Sequence, residues 1–106
     1  MKTALIAATL SGDNTILTGT PGKKIRVLGY TISFSTNNTA QWKSGSTNIS
    51  GVMHFASGGS ITFHLGDSWA SGGLPVLETG VGEDLILNLG GAITAGGHLT
   101  YYEVLA

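Results

Sequence analysis

Gly22-Lys23-Lys24-Ile25-Arg26-Val27-Leu28-Gly29-Tyr30-Thr31-Ile32-Ser33-Phe34-Ser35 is the stretch that decides the fold. Pro21-Gly22 marks a turn, and the dozen residues after it are rich in β-branched and aromatic side chains, with Gly29 as the one further breaker. Ile25 and Val27 fall on one face of an extended chain, and Leu28, Tyr30, Ile32 and Phe34 on the other. Side chains alternate strictly along a strand. A change of apolar face at Val27-Leu28 therefore requires either a bulge or cover on both faces. Gly29, beside the switch, lets the backbone bend or another element approach closely. The stretch reads as the long central strand of a β-sandwich, bending from one sheet environment into another.

Working outward, short apolar runs separated by turn clusters continue through the whole chain. They predict strands at Thr3–Leu10, Asn14–Thr18, Lys24–Ser35, Thr39–Ser44, Asn48–Phe55, Ser60–Leu65, Pro75–Thr79, Asp84–Leu89 and His98–Leu105. Gly interrupts every segment that could otherwise be helical. Eight or nine short strands with turn chemistry between them give an all-β class: a single, jelly-roll-like β-sandwich domain over residues 1–106.

Alternation then suggests pairings. Leu85, Leu87 and Leu89 share a face, as do Ile61, Phe63 and Leu65, and Met53 with Phe55. Setting Phe55 opposite Phe63 makes a hairpin with Gly58-Gly59-Ser60 as its loop, and places His54 directly opposite His64. Protonation of such a histidine pair near pH 5 would weaken any assembly built on it. The last strand is apolar on both faces, with Leu99, Tyr101 and Leu105 on one and Tyr102 and Val104 on the other. It is therefore central in a sheet or sits at a subunit contact.

Composition narrows the function classes. Charged residues are 10% of the chain, against about 25% in ordinary soluble domains, and the net charge is −1. The five basic residues are scattered among six acidic ones, which gives no attraction to nucleic acid or to an anionic membrane. No run has membrane-spanning length. Without cysteine there are no disulfides or thiolate metal sites. The acids select no catalytic carboxylate pair, no serine lies in a nucleophile motif, and three histidines supply too few ligands for a metal site. The chain reads as non-enzymatic, with no cofactor.

Trp69, in the polar loop Gly66–Leu74, and Trp42 are candidates for stacking on a sugar ring. The competing reading places Trp42 in the core and Trp69 as a plug at the end of the sandwich or at a subunit joint. Leu5, Ile6, Tyr101, Tyr102, His54 and His64 are candidates for an interface. The apolar content of Thr3–Leu10 is high for a free terminus, so this segment is expected to touch a neighbouring subunit or a larger surface.

Four ordered pieces carry a family resemblance. They are Asp13-Asn14-Thr15-Ile16 leading to Pro21-Gly22-Lys23-Lys24-Ile25-Arg26-Val27-Leu28-Gly29-Tyr30; Trp42-Lys43-Ser44-Gly45-Ser46-Thr47-Asn48-Ile49-Ser50-Gly51-Val52-Met53; Glu83-Asp84-Leu85-Ile86-Leu87-Asn88-Leu89; and Gly97-His98-Leu99-Thr100-Tyr101-Tyr102. In this order the chain resembles small β-sandwich structural proteins of tailed bacteriophage virions, of the capsid-decoration and head-fibre type. The resemblance implies a jelly-roll-like fold, a homotrimer, location in the virion, and a major capsid or other virion protein as partner. It implies no catalytic residue. A fibre domain would sit on a longer chain, so the resemblance points first to a decoration (cement) protein. A carbohydrate-binding or receptor-binding head is the alternative.

Overall fold

The structure, a computed structural model, describes residues 2–64 and 77–105, and of Phe63 and His64 the backbone only. Ten strands run in chain order: β1 (Lys2–Ala8), β2 (Gly12–Leu17), β3 (Lys23–Phe34), β4 (Asn38–Ser44), β5 (Thr47–Asn48), β6 (Met53–Phe55), β7 (Ser60–His64), β8 (Leu77–Glu78), β9 (Leu85–Leu89) and β10 (Ala95–Leu105). They form two antiparallel sheets. The first has the order β1-β10-β3-β7, with β8 also on β3; the second has β2-β9-β4-β5, with β6 also on β4. Successive strands cross repeatedly from one sheet to the other, and these two four-strand orders are those of a jelly roll.

The bulge expected in the central strand is present. Along the β3–β10 ladder Thr100 pairs with Gly29 and Tyr101 with Val27, so Leu28 is the extra residue. Before it Ile25 and Val27 face the core; after it Tyr30, Ile32 and Phe34 do. The strand does not pass between sheets. One extra residue instead keeps a twelve-residue strand in register with the core, while its outer neighbour changes from β8 to β7. The last strand is central too, held between β1 and β3, and begins at Ala95, three residues earlier than the sequence suggests.

Between the sheets, Ile6, Ile25, Val27, Ile32, Phe34 and Leu99 meet Ala40, Trp42, Leu85, Leu87 and Leu89. Trp42 is wholly buried and meets Tyr30 edge-on, with ring centroids 5.3 Å apart. Among the described residues its indole Nε1 has no acceptor at hydrogen-bonding geometry. The Tyr30 hydroxyl is still near enough for the indole to oppose part of the rise that burial gives the phenol's pKa.

Two expectations fail here. The hairpin joining His54 to His64 does not form: β6 pairs with β4 in the second sheet, setting His54 against Thr39, whereas β7 pairs with β3 in the first, setting His64 against Gly29. The turn between them crosses the edge of the sandwich, held by Gly58 N–H to the Phe34 carbonyl (3.0 Å) and by Phe34 N–H to the Gly59 carbonyl (2.9 Å). Phe55 then stacks on Phe34 across the core at 4.1 Å. With the histidines on different sheets, the pH 5 effect expected of a cross-strand pair has no basis.

The predicted strand Asn48–Phe55 is also broken into β5 and β6. The chain leaves the ladder at Ser50, whose hydroxyl accepts from Trp42 N–H at 2.9 Å and so takes the place of a backbone carbonyl. Gln41 Nε2 donates to the Ser50 carbonyl at 2.9 Å and holds the detour in place.

Two polar clusters, centred on the buried Asn14 and Ser44, tie turns to the sandwich. Asn14 Nδ2 donates to the carbonyls of Leu10, Gly12 and Leu87, and its Oδ1 accepts from Leu10 N–H at 3.2 Å, clamping the β1–β2 turn to β9. At another corner, Ser44 Oγ donates to Glu83 Oε1 at 2.7 Å and accepts from Gly80 N–H at 2.8 Å. Asp84 Oδ1 accepts from Gly19 N–H at 2.7 Å. Asp84 thus ties the loop between β2 and β3 to the start of β9, and Ser44 joins the end of β4 to Glu83 and Gly80 in the turn before β9.

Asn14→Asp is expected to destabilise the fold by about 1–3 kcal/mol at neutral pH, because a carboxylate would replace an amide donor facing three carbonyl oxygens. Chemical denaturation checks this. A midpoint equal to that of the wild type would show that the amide bonds contribute nothing.

Candidate interaction surface

Since the inner faces are filled, chemistry is left to the two outer faces, the edges and the rim. The outer face of the second sheet is polar and pinned. Lys43 Nζ donates to both Asp13 oxygens (3.1 and 3.2 Å), and Asn88 Nδ2 donates to Asp13 Oδ1 at 2.7 Å. The amide bond from Asn88, then the Lys43 ammonium, holds the Asp13 carboxyl below the usual carboxylate range. This stabilisation is present above the unfolded carboxyl's pKa and is lost as pH falls through the depressed folded value. On so open a group it is a small, salt-screened effect.

The outer face of the first sheet is different. Register places three rows side by side across its four strands: Ala7, Gly96, Ser33 and Ser60; Leu5, His98, Thr31 and Thr62; and Thr3, Thr100, Gly29 and the backbone position of His64. Small and hydroxyl residues dominate, Thr31 Oγ1 and Thr62 Oγ1 lie 3.3 Å apart, and Leu5 stands 81% exposed. Charge is segregated to the far end of the same face. There Arg26 pairs with Glu78 and donates to Tyr102 Oη at 3.5 Å, and Lys24 Nζ lies 3.7 Å from Glu78. The Tyr102 hydroxyl and then Glu78 push the Arg26 pKa up.

The sequence candidates separate accordingly. Leu5 is presented to the outside, whereas Ile6 points inward, 2% exposed, and belongs to the core. Tyr101 is half-buried on the inner side opposite Val27, and Tyr102 lies on the outer face opposite Arg26. His54 is exposed on the second sheet, away from all of these. Trp42 is in the core and offers no stacking surface; Trp69 lies outside the described residues. Among the described residues no group of three His, Asp or Glu side chains is placed to hold a metal ion.

An open depression of about 520 Å³ lies on the rim, lined by Asn37, Asn38, Thr39, His54, Phe55, Ala56 and Gly90. Asn37 Oδ1 accepts from Ser57 N–H at 2.6 Å, and Asn38 Nδ2 donates to the Gly91 carbonyl at 3.3 Å, so both amides are already engaged in shaping loops. Sequence reasoning missed this cluster and the neutral rows of the first sheet. Both arise from register between distant strands, although the Ser/Thr-rich, charge-poor composition pointed to a surface of that character.

No family model matches the chain, and no curated protein is significantly similar to it.

Proposed function

We propose that this chain is a non-enzymatic structural protein of a phage virion, a capsid decoration protein that binds the particle surface as a homotrimer. The observation that carries this reading is the outer face of the first sheet: three rows, mostly of small and hydroxyl residues and without Lys, Arg, Asp or Glu, with His98 beside an exposed Leu5. Such a face loses little side-chain entropy when covered and contains no Lys, Arg, Asp or Glu to be desolvated. The resemblance of the four sequence pieces supplies the virion context, and the jelly roll is an architecture used by capsid proteins and lectins alike. A glycan-binding head is the second reading, favoured by the Asn- and His-lined rim depression and weakened by the burial of Trp42.

Attachment through this face depends on apolar burial and neutral hydrogen bonds, repeated in each subunit of the oligomer. The protein should therefore remain on its particle through about 1 M salt, where the Debye length is about 3 Å. Deleting residues 1–10 is a poor probe, because β1 contributes Ile6 and Ala8 to the core. Leu5→Glu leaves the core intact and should abolish retention. Release of the wild-type protein by moderate salt, or unchanged retention of Leu5→Glu, would overturn the reading.

A further inference from the structure

Among the described residues the two sheets have four edges, and three of them carry features that block further strand pairing. On the first sheet the edge beside β3 is divided between β7 and β8 at the Leu28 bulge, and β8 is two residues long and carries Glu78. On the second sheet β2 has a register shift between Thr15 and Leu17 and carries Asp13, and the opposite edge is split between β5 and β6, of two and three residues. Short strands, bulges and charges are the devices by which sheet edges avoid pairing with other chains.

The fourth edge has none of them. β1 pairs with β10 through seven consecutive residues without a register shift, contains no proline, and has a single charge, at Lys2. Among the described residues, no strand pairs with its other side. Its outward residues Thr3, Leu5 and Ala7 are all exposed, and Leu5 at 81% is level with Leu105 as the most exposed large apolar residue described.

We infer that β1 pairs antiparallel with β1 of a second copy, centred on Leu5, joining two first sheets into one continuous sheet across a two-fold axis. The strand is self-complementary in this register. Leu5 is the midpoint of Lys2–Ala8, so all seven residues find partners, and the two exposed leucines meet. Thr3 faces Ala7 of the second copy. Each Lys2 faces an Ala8, which sets the two ammonium groups at opposite ends of the ladder. A two-fold contact closes on itself and does not propagate into a fibre. A single seven-residue edge covers less than the about 800 Å² per partner typical of a stable complex. The contact is accordingly concentration-dependent in free solution and strengthened where copies are held close on a particle. The inference deepens the structural reading by assigning a self-contact. Because an antiparallel pair has two-fold symmetry, a three-fold contact uses a different surface.

The absence of cysteine from the chain makes register directly testable in the full-length protein. Leu5→Cys should form a disulfide-linked pair under oxidised glutathione roughly tenfold or more faster than Val81→Cys, an exposed control in a turn away from the edge. Thr3→Cys mixed with Ala7→Cys should cross-link as a heterologous pair, and each alone should lag well behind the mixture. Thermal melts within a few degrees of the wild type would confirm that the variants are folded, as expected for exposed positions. Cross-linking of Leu5→Cys no faster than of Val81→Cys, or of Thr3→Cys alone as fast as of the mixture, would overturn the inference. Neither measurement uses a particle, so this contact can fail while salt-resistant attachment stands, and the reverse.

Discussion

Trp42→Ala should leave the protein largely unfolded near 37 °C, the largest loss expected from any single core truncation described here. Trp42 is the largest fully buried side chain among the described residues, set between Leu87 on its own sheet and Tyr30 on the other. Removing an indole from such a site costs about 3–5 kcal/mol, because the lost burial is joined by a cavity that a stiff two-sheet core cannot collapse to fill. A domain of this size is stable by only about 5–15 kcal/mol, so the loss removes roughly a fifth of the total at the least and nearly all of it at the most. Thermal denaturation followed by circular dichroism should show a midpoint lowered by roughly 15–30 °C. Trp42→Phe, which keeps an aromatic edge toward Tyr30, should lose clearly less. A drop of under 5 °C for Trp42→Ala would mean that the sheets are not packed through this residue.

The second large effect comes from a pair of neighbouring glycines. A Cβ on Gly97 would lie inside the van der Waals envelope of the Thr31 carbonyl oxygen on the adjacent strand, and also 2.8 Å from its carbon and 3.1 Å from Ile32 Cα. These are backbone atoms, so β10 and β3 would have to part where both run through the middle of the first sheet. Gly97→Ala should cost several kcal/mol, about 3 or more, on the scale of other strained or overpacked substitutions. On Gly96 the nearest atom to an added Cβ is the Ile6 carbonyl oxygen at 3.8 Å, ordinary contact distance. Gly96→Ala should therefore be neutral or slightly stabilising, by up to about 1 kcal/mol, through loss of unfolded-state freedom. Urea denaturation of the two variants side by side decides the matter. Equal midpoints would contradict the close approach of the two central strands.

The same glycines show where sequence reading stopped. Gly90 to Gly97 reads as a loop on composition, yet Ala95, Gly96 and Gly97 are strand, because Gly97 admits the Thr31 carbonyl. The bulge at Leu28 was legible for the opposite reason: alternation along a single strand is local, and a change of apolar face inside it has few geometric solutions. Alternation could not decide which strands share a sheet. Met53, Phe55 and Ile61 all pack on the core, as their pattern requires, but they reach it from opposite sheets. In a sandwich, two strands that both face inward are equally consistent with lying side by side or face to face. The His54–His64 pairing depended on that choice and failed with it. Burial of Trp42 agrees with the reading that placed it in the core and not with the one that set it against a sugar ring, while the neutral face around Leu5 appears only when β1, β10, β3 and β7 are laid in register.

The exposed edge and the neutral face both belong to the first sheet, and both are explained if that sheet is covered in the assembled state. The most direct measurement is a density map of purified virions, with the protein's presence confirmed by mass spectrometry of the same particles. Many symmetry-related copies are expected on the capsid exterior, with the outer face of the first sheet or the β1 edge buried against the shell or a neighbouring copy. Absence of the polypeptide from purified virions, or its presence with that face turned entirely to solvent, would contradict the proposed role.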